Sequence, residues 1–126
     1  METENTVSIW IGNFDTKLDL DEFIDLKYDD EGEVVPSLFY NQYNIDIDDI
    51  DDYLIEKEVF ETSFTNLFDM LKGASYDNII VNNLKQKGIN PNIAPNNTVI
   101  LIYNYQFDSN VIRTINTEFI ATVKYR

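Results

Sequence analysis

The amino-acid sequence predicts an α+β fold: one domain over residues 1–126, built on a mostly antiparallel sheet of about four strands with helices packed on it. Three observations predict it. Val99-Ile100-Leu101-Ile102-Tyr103 is a continuous apolar, β-branched run with turn signals before it, as expected of a central strand covered on both faces. Two segments, Val7–Gly12 and Glu118–Tyr125, have strand-like alternation. Between them lie apolar residues at helical spacing, bounded by caps and glycines.

Taken in order, Val7, Ile9 and Ile11 share one face of a first strand, and Gly12-Asn13 ends it. Thr16 is placed to cap a helix, with Asp19 at the capping-box position and Leu18, Leu20, Phe23 and Ile24 along it to about Lys27. Asp29-Asp30-Glu31-Gly32 is a turn. Pro36-Ser37 opens a short helix through Leu38, Phe39, Gln42 and Tyr43, because proline loses nothing in a first helical turn. Asp46–Tyr53 suits either a helical turn, from the spacing of Ile47, Ile50 and Leu54, or a loop, since Asp favours turns. Ile55–Glu61 is a candidate strand. Thr62 or Ser63 is expected to cap a helix carrying Phe64, Leu67, Phe68 and Leu71, stopped at Gly73. The next helix starts near Ser75, uses Ile79, Ile80 and Leu84, and stops at Gly88. Asn90–Asn97, with two prolines and four asparagines, reads as loop. The runs at 99–103 and 118–125 are expected to pair as neighbouring antiparallel strands, with Phe119, Ala121, Val123 and Tyr125 on one face. The predicted order is β-α-α-β-α-α-β-β.

Composition narrows the chemistry. There is no cysteine and no histidine, which removes disulfides, thiolate and Ser-His nucleophile systems, and ordinary zinc sites. Carboxylate, Lys or Tyr acid–base chemistry and carboxylate-held Mg²⁺ or Ca²⁺ remain. Met1–Asn5 is acidic and has no apolar run, so no signal peptide is expected, and no stretch approaches the ~20 apolar residues of a membrane span. The expected location is cytoplasmic.

Charge is unevenly placed. Residues 1–61 hold 19 Asp/Glu against Lys17, Lys27 and Lys57, while residues 62–126 hold four acids against six bases. An acidic field of this size raises solubility and steers basic partners, at some cost in self-repulsion. The densest part is Asp46, Asp48, Asp49, Asp51 and Asp52. Its carboxylates are suited to the Lys/Arg groups that otherwise grip nucleic-acid phosphate, and they equally suit a solvated loop. A calcium loop does not fit the run. An EF-hand needs glycine sixth and glutamate twelfth; counting from Asp46 these are Asp51 and Lys57, and from Asp48 they are Tyr53 and Val59. A catalytic carboxylate pair needs a cleft and a fixed separation, and in a chain with surplus acids a pair carries little information. No nucleotide loop or nucleophile motif accompanies it, so the reading is a non-enzyme without cofactor.

Four segments carry a family resemblance: Val7-Ser8-Ile9-Trp10-Ile11-Gly12-Asn13-Phe14; Leu71-Lys72-Gly73-Ala74-Ser75-Tyr76; Val99–Tyr105; and Tyr28-Asp29-Asp30-Glu31-Gly32 followed by Pro36-Ser37 and Phe39. In this order and at this spacing, ending in Phe119–Tyr125, the chain resembles the immunity protein 22 family of bacterial polymorphic toxin systems over nearly its whole length. The resemblance implies a small cytoplasmic antidote that binds a cognate toxin domain and blocks it without chemistry, nuclease toxins being common partners of immunity proteins as a class. It supplies no catalytic residues, and binding to nucleic acid or membrane is not expected. The departure from the family pattern is the Ile/Asp run at 45–52, where an acidic stretch with aromatics is expected, so partner specificity is expected to differ there.

The expected partner-binding residues are therefore Asp29, Asp30, Glu31, Tyr43, Asp46, Asp48, Asp49, Asp51, Asp52 and Tyr53. Tyr43 and Tyr53, with Tyr28 and Tyr40, lie among the acids and suit either an interface rim or a core edge. Trp10 is expected in the core if both sheet faces are covered, and at an interface if one is open. An acidic nucleic-acid mimic acting on a DNA- or RNA-binding protein is the alternative function, and a Ca²⁺-binding module the next.

Overall fold

A computed structural model describes residues 1–126. The chain runs β1 (Glu2–Gly12), α1 (Lys17–Ile24), β2 (Lys27–Tyr28), β3 (Val34–Val35), α2 (Leu38–Tyr43), β4 (Ile55–Asn66), α3 (Leu67–Leu71), α4 (Asp77–Gln86), β5 (Asn92–Tyr105) and β6 (Thr117–Lys124). Two 3₁₀ turns, Ile47–Asp49 and Asp52–Leu54, lie between α2 and β4. The large sheet has the order β4-β5-β1-β6 and every pairing in it is antiparallel, while β2 and β3 form a separate short hairpin.

Side chains on a strand alternate between faces, and here both faces are covered. Val7, Ile9, Ile11, Val99 and Leu101 point to the side of α3 and α4, where Leu67, Leu71, Ile80 and Leu84 meet them. Trp10, Ile100 and Ile102 point to the side of α1 and α2, against Leu20, Ile24, Phe39 and Tyr43. This explains why 99–103 is apolar at every position, and it places Trp10 in the core as expected, fully buried among the rings of Phe39, Tyr43, Phe107 and Phe119.

Several local expectations hold. Thr16 accepts a hydrogen bond from the Asp19 amide at the start of α1. Gly73, just beyond α3, takes a left-handed φ of 92°. Others are corrected. The strand β5 is not beside β6; β1 lies between them. The connection Gln106–Asn116 runs over the α1/α2 face of the sheet from the Glu2 end of β1 to its Gly12 end, and the Phe107 amide pins its start by donating to Ser8 Oγ. Phe119 does not share a face with Ala121, because Ile9 pairs with Ala121 and Trp10 with Phe119, leaving Ile120 as the extra residue of a β-bulge. Residues 92–97 are strand, not loop, and β4 correspondingly runs to Asn66 through Phe64. The register between them is irregular, which accommodates Pro95. The helix thought to be capped by Thr62 or Ser63 is instead capped by Asn66, whose side chain accepts from the amides of Phe68 and Asp69. Tyr76, at a left-handed φ of 61°, rather than Ser75, precedes α4.

Candidate partner-binding surface

Residues 46–54 form two consecutive 3₁₀ turns, each opened by an aspartate that caps its own turn. Asp46 Oδ1 accepts from the Asp48 amide at 2.9 Å, and Asp51 Oδ1 accepts from the Tyr53 amide at 3.0 Å. Such local side-chain to backbone bonds are what Asp offers in competition with a regular helix. The apolar spacing noted in the sequence has a physical role: Ile47 and Ile50 pack on the α1/α2 side of the core, and Leu54 on the opposite side. The run is thereby fastened down, with Asp46, Asp48, Asp51 and Asp52 exposed and Asp49 half-buried.

Two of the three lysines of the acidic half are used elsewhere. Lys57 Nζ sits 2.7 Å from Asp25 Oδ1 and 3.3 Å from Asp21 Oδ1, and Lys17 Nζ sits 2.8 Å from the same Asp21 oxygen. The Asp21 carboxyl is held below its ordinary pKa, first by the Lys17 hydrogen bond and then by Lys57. In the run, the only ion pair joins Asp49 Oδ2 to the Met1 amino group at 3.7 Å, and no lysine or arginine side chain pairs with Asp46, Asp48, Asp51 or Asp52.

The expected site residues do not all converge. Asp29, Asp30 and Glu31 are exposed at the tip of the β2–β3 hairpin, where Asp29 Oδ1 accepts from the amides of Glu31 and Glu33. No hydrogen bond or ion pair ties that tip to the 46–52 run. Tyr43 is a correction: its side chain is fully buried, and its hydroxyl lies 2.7 Å from Thr117 Oγ1. The short helix α2 turns Phe39, Tyr40 and Tyr43 inward together at helical spacing, so Tyr43 is a core residue and not a rim aromatic. Burial raises its phenol above the usual range. Tyr53, by contrast, is 93% exposed.

Next to Tyr53 is a groove that sequence reasoning missed. It has a volume of about 410 Å³ and is lined by Tyr53, Leu54, Tyr76, Tyr103, Tyr125 and Arg126, among others. Ring centroids lie 4.9 Å apart for Tyr76–Tyr125 and 5.0 Å for Tyr103–Tyr125. The three tyrosines come from the α3–α4 turn, the end of β5 and the segment after β6, and no local pattern in the sequence joins them. A smaller acidic hollow of about 280 Å³, lined by Glu2, Glu4, Asp49 and Asp51, shares Leu54, Tyr103 and Asn104 with the groove as a common wall. A larger cleft, about 670 Å³, opens between the β1–α1 loop, α1 and the start of α2, and carries Asp15, Asp19, Glu22 and Lys27.

No three acidic side chains converge in the arrangement a metal ion would require. No helix is long and apolar enough to cross a membrane. Comparison with known families gives one finding: the model of the family described as Immunity protein 22 matches residues 7–126. No curated protein and no solved structure matches the chain.

Proposed function

This chain belongs to the immunity protein 22 family, and from that premise we propose that it neutralises a cognate toxin domain by stoichiometric binding through the acidic surface at Asp46–Tyr53. The observation that carries the proposal is the state of the run. It is fixed to the core by Ile47 and Ile50, yet the carboxylates of Asp46, Asp48, Asp51 and Asp52 have no lysine or arginine partner within the chain. Carboxylates presented this way are ready for the basic groups of a partner, above all the Lys/Arg cluster of a nuclease active site, where they take the place of phosphate. Their field raises the rate of encounter, which matters for an antidote that must act before damage is done. Asp29, Asp30 and Glu31 extend the same sign of charge to the hairpin tip and act at longer range, without a shared pocket. No catalytic step is needed: inhibition by occlusion in the cytoplasm uses only the surface.

Co-expression tests this reading. The C-terminal domain of the large protein encoded beside this chain should be toxic alone, rescued by this chain, and recovered with it as a stoichiometric complex. Failure of both rescue and complex formation removes the reading for that pair. Capture instead of several unrelated nucleic-acid-binding proteins, lost steeply with salt, would favour the mimic.

A further inference from the structure

We infer that the tyrosine groove beside the acidic run is the anchor site for one cationic side chain, arginine or lysine, from a basic loop of the toxin domain. The inference rests on the docking surface proposed above and names what that surface grips. Three observations support it.

First, chemistry and place coincide. The groove offers the exposed rings of Tyr53 and Tyr76 beside the buried Tyr103 and Tyr125, and the hollow sharing its wall carries Glu2, Glu4, Asp49 and Asp51. An aromatic wall attracts a cation through the ring quadrupole, and carboxylates on the other side of the shared wall supply the countercharge. An apolar groove alone would suit any hydrophobic segment; the four carboxylates select a cation. One of them, Asp49, is already opposed by the Met1 amino group, and the other three have no ion-pair partner.

Second, the cluster already holds a guanidinium of its own chain. Arg126 Cζ lies 5.5 Å from the Tyr125 ring centroid, while Arg126 Nε donates to Asn5 Oδ1 at 2.7 Å. Arg126 is thus engaged with Tyr125 and Asn5, and Tyr53 and Tyr76 remain exposed.

Third, the inner walls of the groove are held in place. The Tyr103 hydroxyl is held by Glu56 Oε1 at 2.7 Å and by the Ser75 carbonyl at 2.9 Å, and the Tyr125 hydroxyl donates to Asn104 Oδ1 at 2.6 Å. These two rings are therefore fixed before a partner arrives, which lowers the entropic cost of binding against them.

The test uses the full chain and the toxin domain defined above, with association and dissociation rates measured separately. Tyr53→Ala removes a ring that is 93% exposed, and Tyr76→Asn removes a ring while keeping a residue that tolerates the left-handed φ of 61°. Both variants should keep the wild-type far-ultraviolet spectrum. Each should dissociate at least tenfold faster with an association rate within twofold of wild type. Unchanged dissociation in both, with the wild-type complex intact, overturns the anchor and leaves the docking reading standing. If no complex forms at all, the docking reading falls, and the groove is judged by titration with acetyl-arginine methylamide followed on the tyrosine ring resonances. Saturable shifts lost in Tyr76→Asn support the site, and no shift overturns it.

Discussion

The Tyr43 hydroxyl lies 2.7 Å from Thr117 Oγ1 in the core, while the hydroxyl of Tyr40, three residues earlier on the same helix, is buried with no partner. A buried donor without an acceptor forfeits its hydration, whereas a bonded one recovers it. The two phenylalanine replacements should therefore differ in sign. Tyr43→Phe removes one of the two hydroxyl partners of Thr117, leaving Thr114, and is expected to lose about 1 kcal/mol, while Tyr40→Phe is expected to be neutral or to gain up to about 1 kcal/mol. Urea denaturation midpoints at equal m-values decide it.

Gly12 is needed for space rather than for its φ. A Cβ there would run into the Asn116 carbonyl and would lie 2.9 Å from Thr117 Cγ2. That carbonyl cannot retreat freely, since it accepts from the Asn13 amide at 3.0 Å. Gly12→Ala should cost about 1–3 kcal/mol, the range for overpacked sites, and thermal unfolding would show it directly.

The Lys57 cluster gives a pH window. The Asp21 carboxyl is held below its ordinary pKa of 3.8, so its stabilising contribution is full above that value and is lost as pH falls through the lowered one. Lys57, half-withdrawn from solvent, is held above its ordinary 10.5 by Asp25 and Asp21 against the opposing effect of burial, so its contribution is full below 10.5 and is lost as pH rises through the raised value. Lys57→Met should therefore cost up to about 1 kcal/mol between pH 4 and 10, the upper end for partly exposed pairs, and the difference from wild type should shrink outside that range. A pH series of denaturation midpoints for both proteins tests the window.

Legibility in the sequence followed the range of the interaction. The Thr16 cap, the Gly73 stop and the apolar run at 99–103 depend on neighbours in the chain, and each was readable there. The place of β1 between β5 and β6 depends on a long crossing connection, which short-range alternation does not report. Asn92–Asn97 was misread because its prolines and asparagines are turn formers, while pairing with β4 across an irregular register outweighs that preference. For the candidate surface, the acidic run was visible as composition, and the fold adds that it is anchored and that no lysine or arginine pairs with it. Tyr43 was misplaced because an aromatic among acids looks the same whether the helix turns it in or out. The tyrosine groove was invisible because Tyr76, Tyr103 and Tyr125 meet only in three dimensions.

The association rate between this chain and the toxin domain, measured for wild type and for the quadruple charge reversal of Asp48, Asp49, Asp51 and Asp52 to lysine, tests the central claim most directly. A steered encounter predicts that the variant keeps its fold but associates at least tenfold more slowly at low salt, with the gap narrowing as salt is added. An association rate unchanged by the reversal would contradict docking through the acidic run.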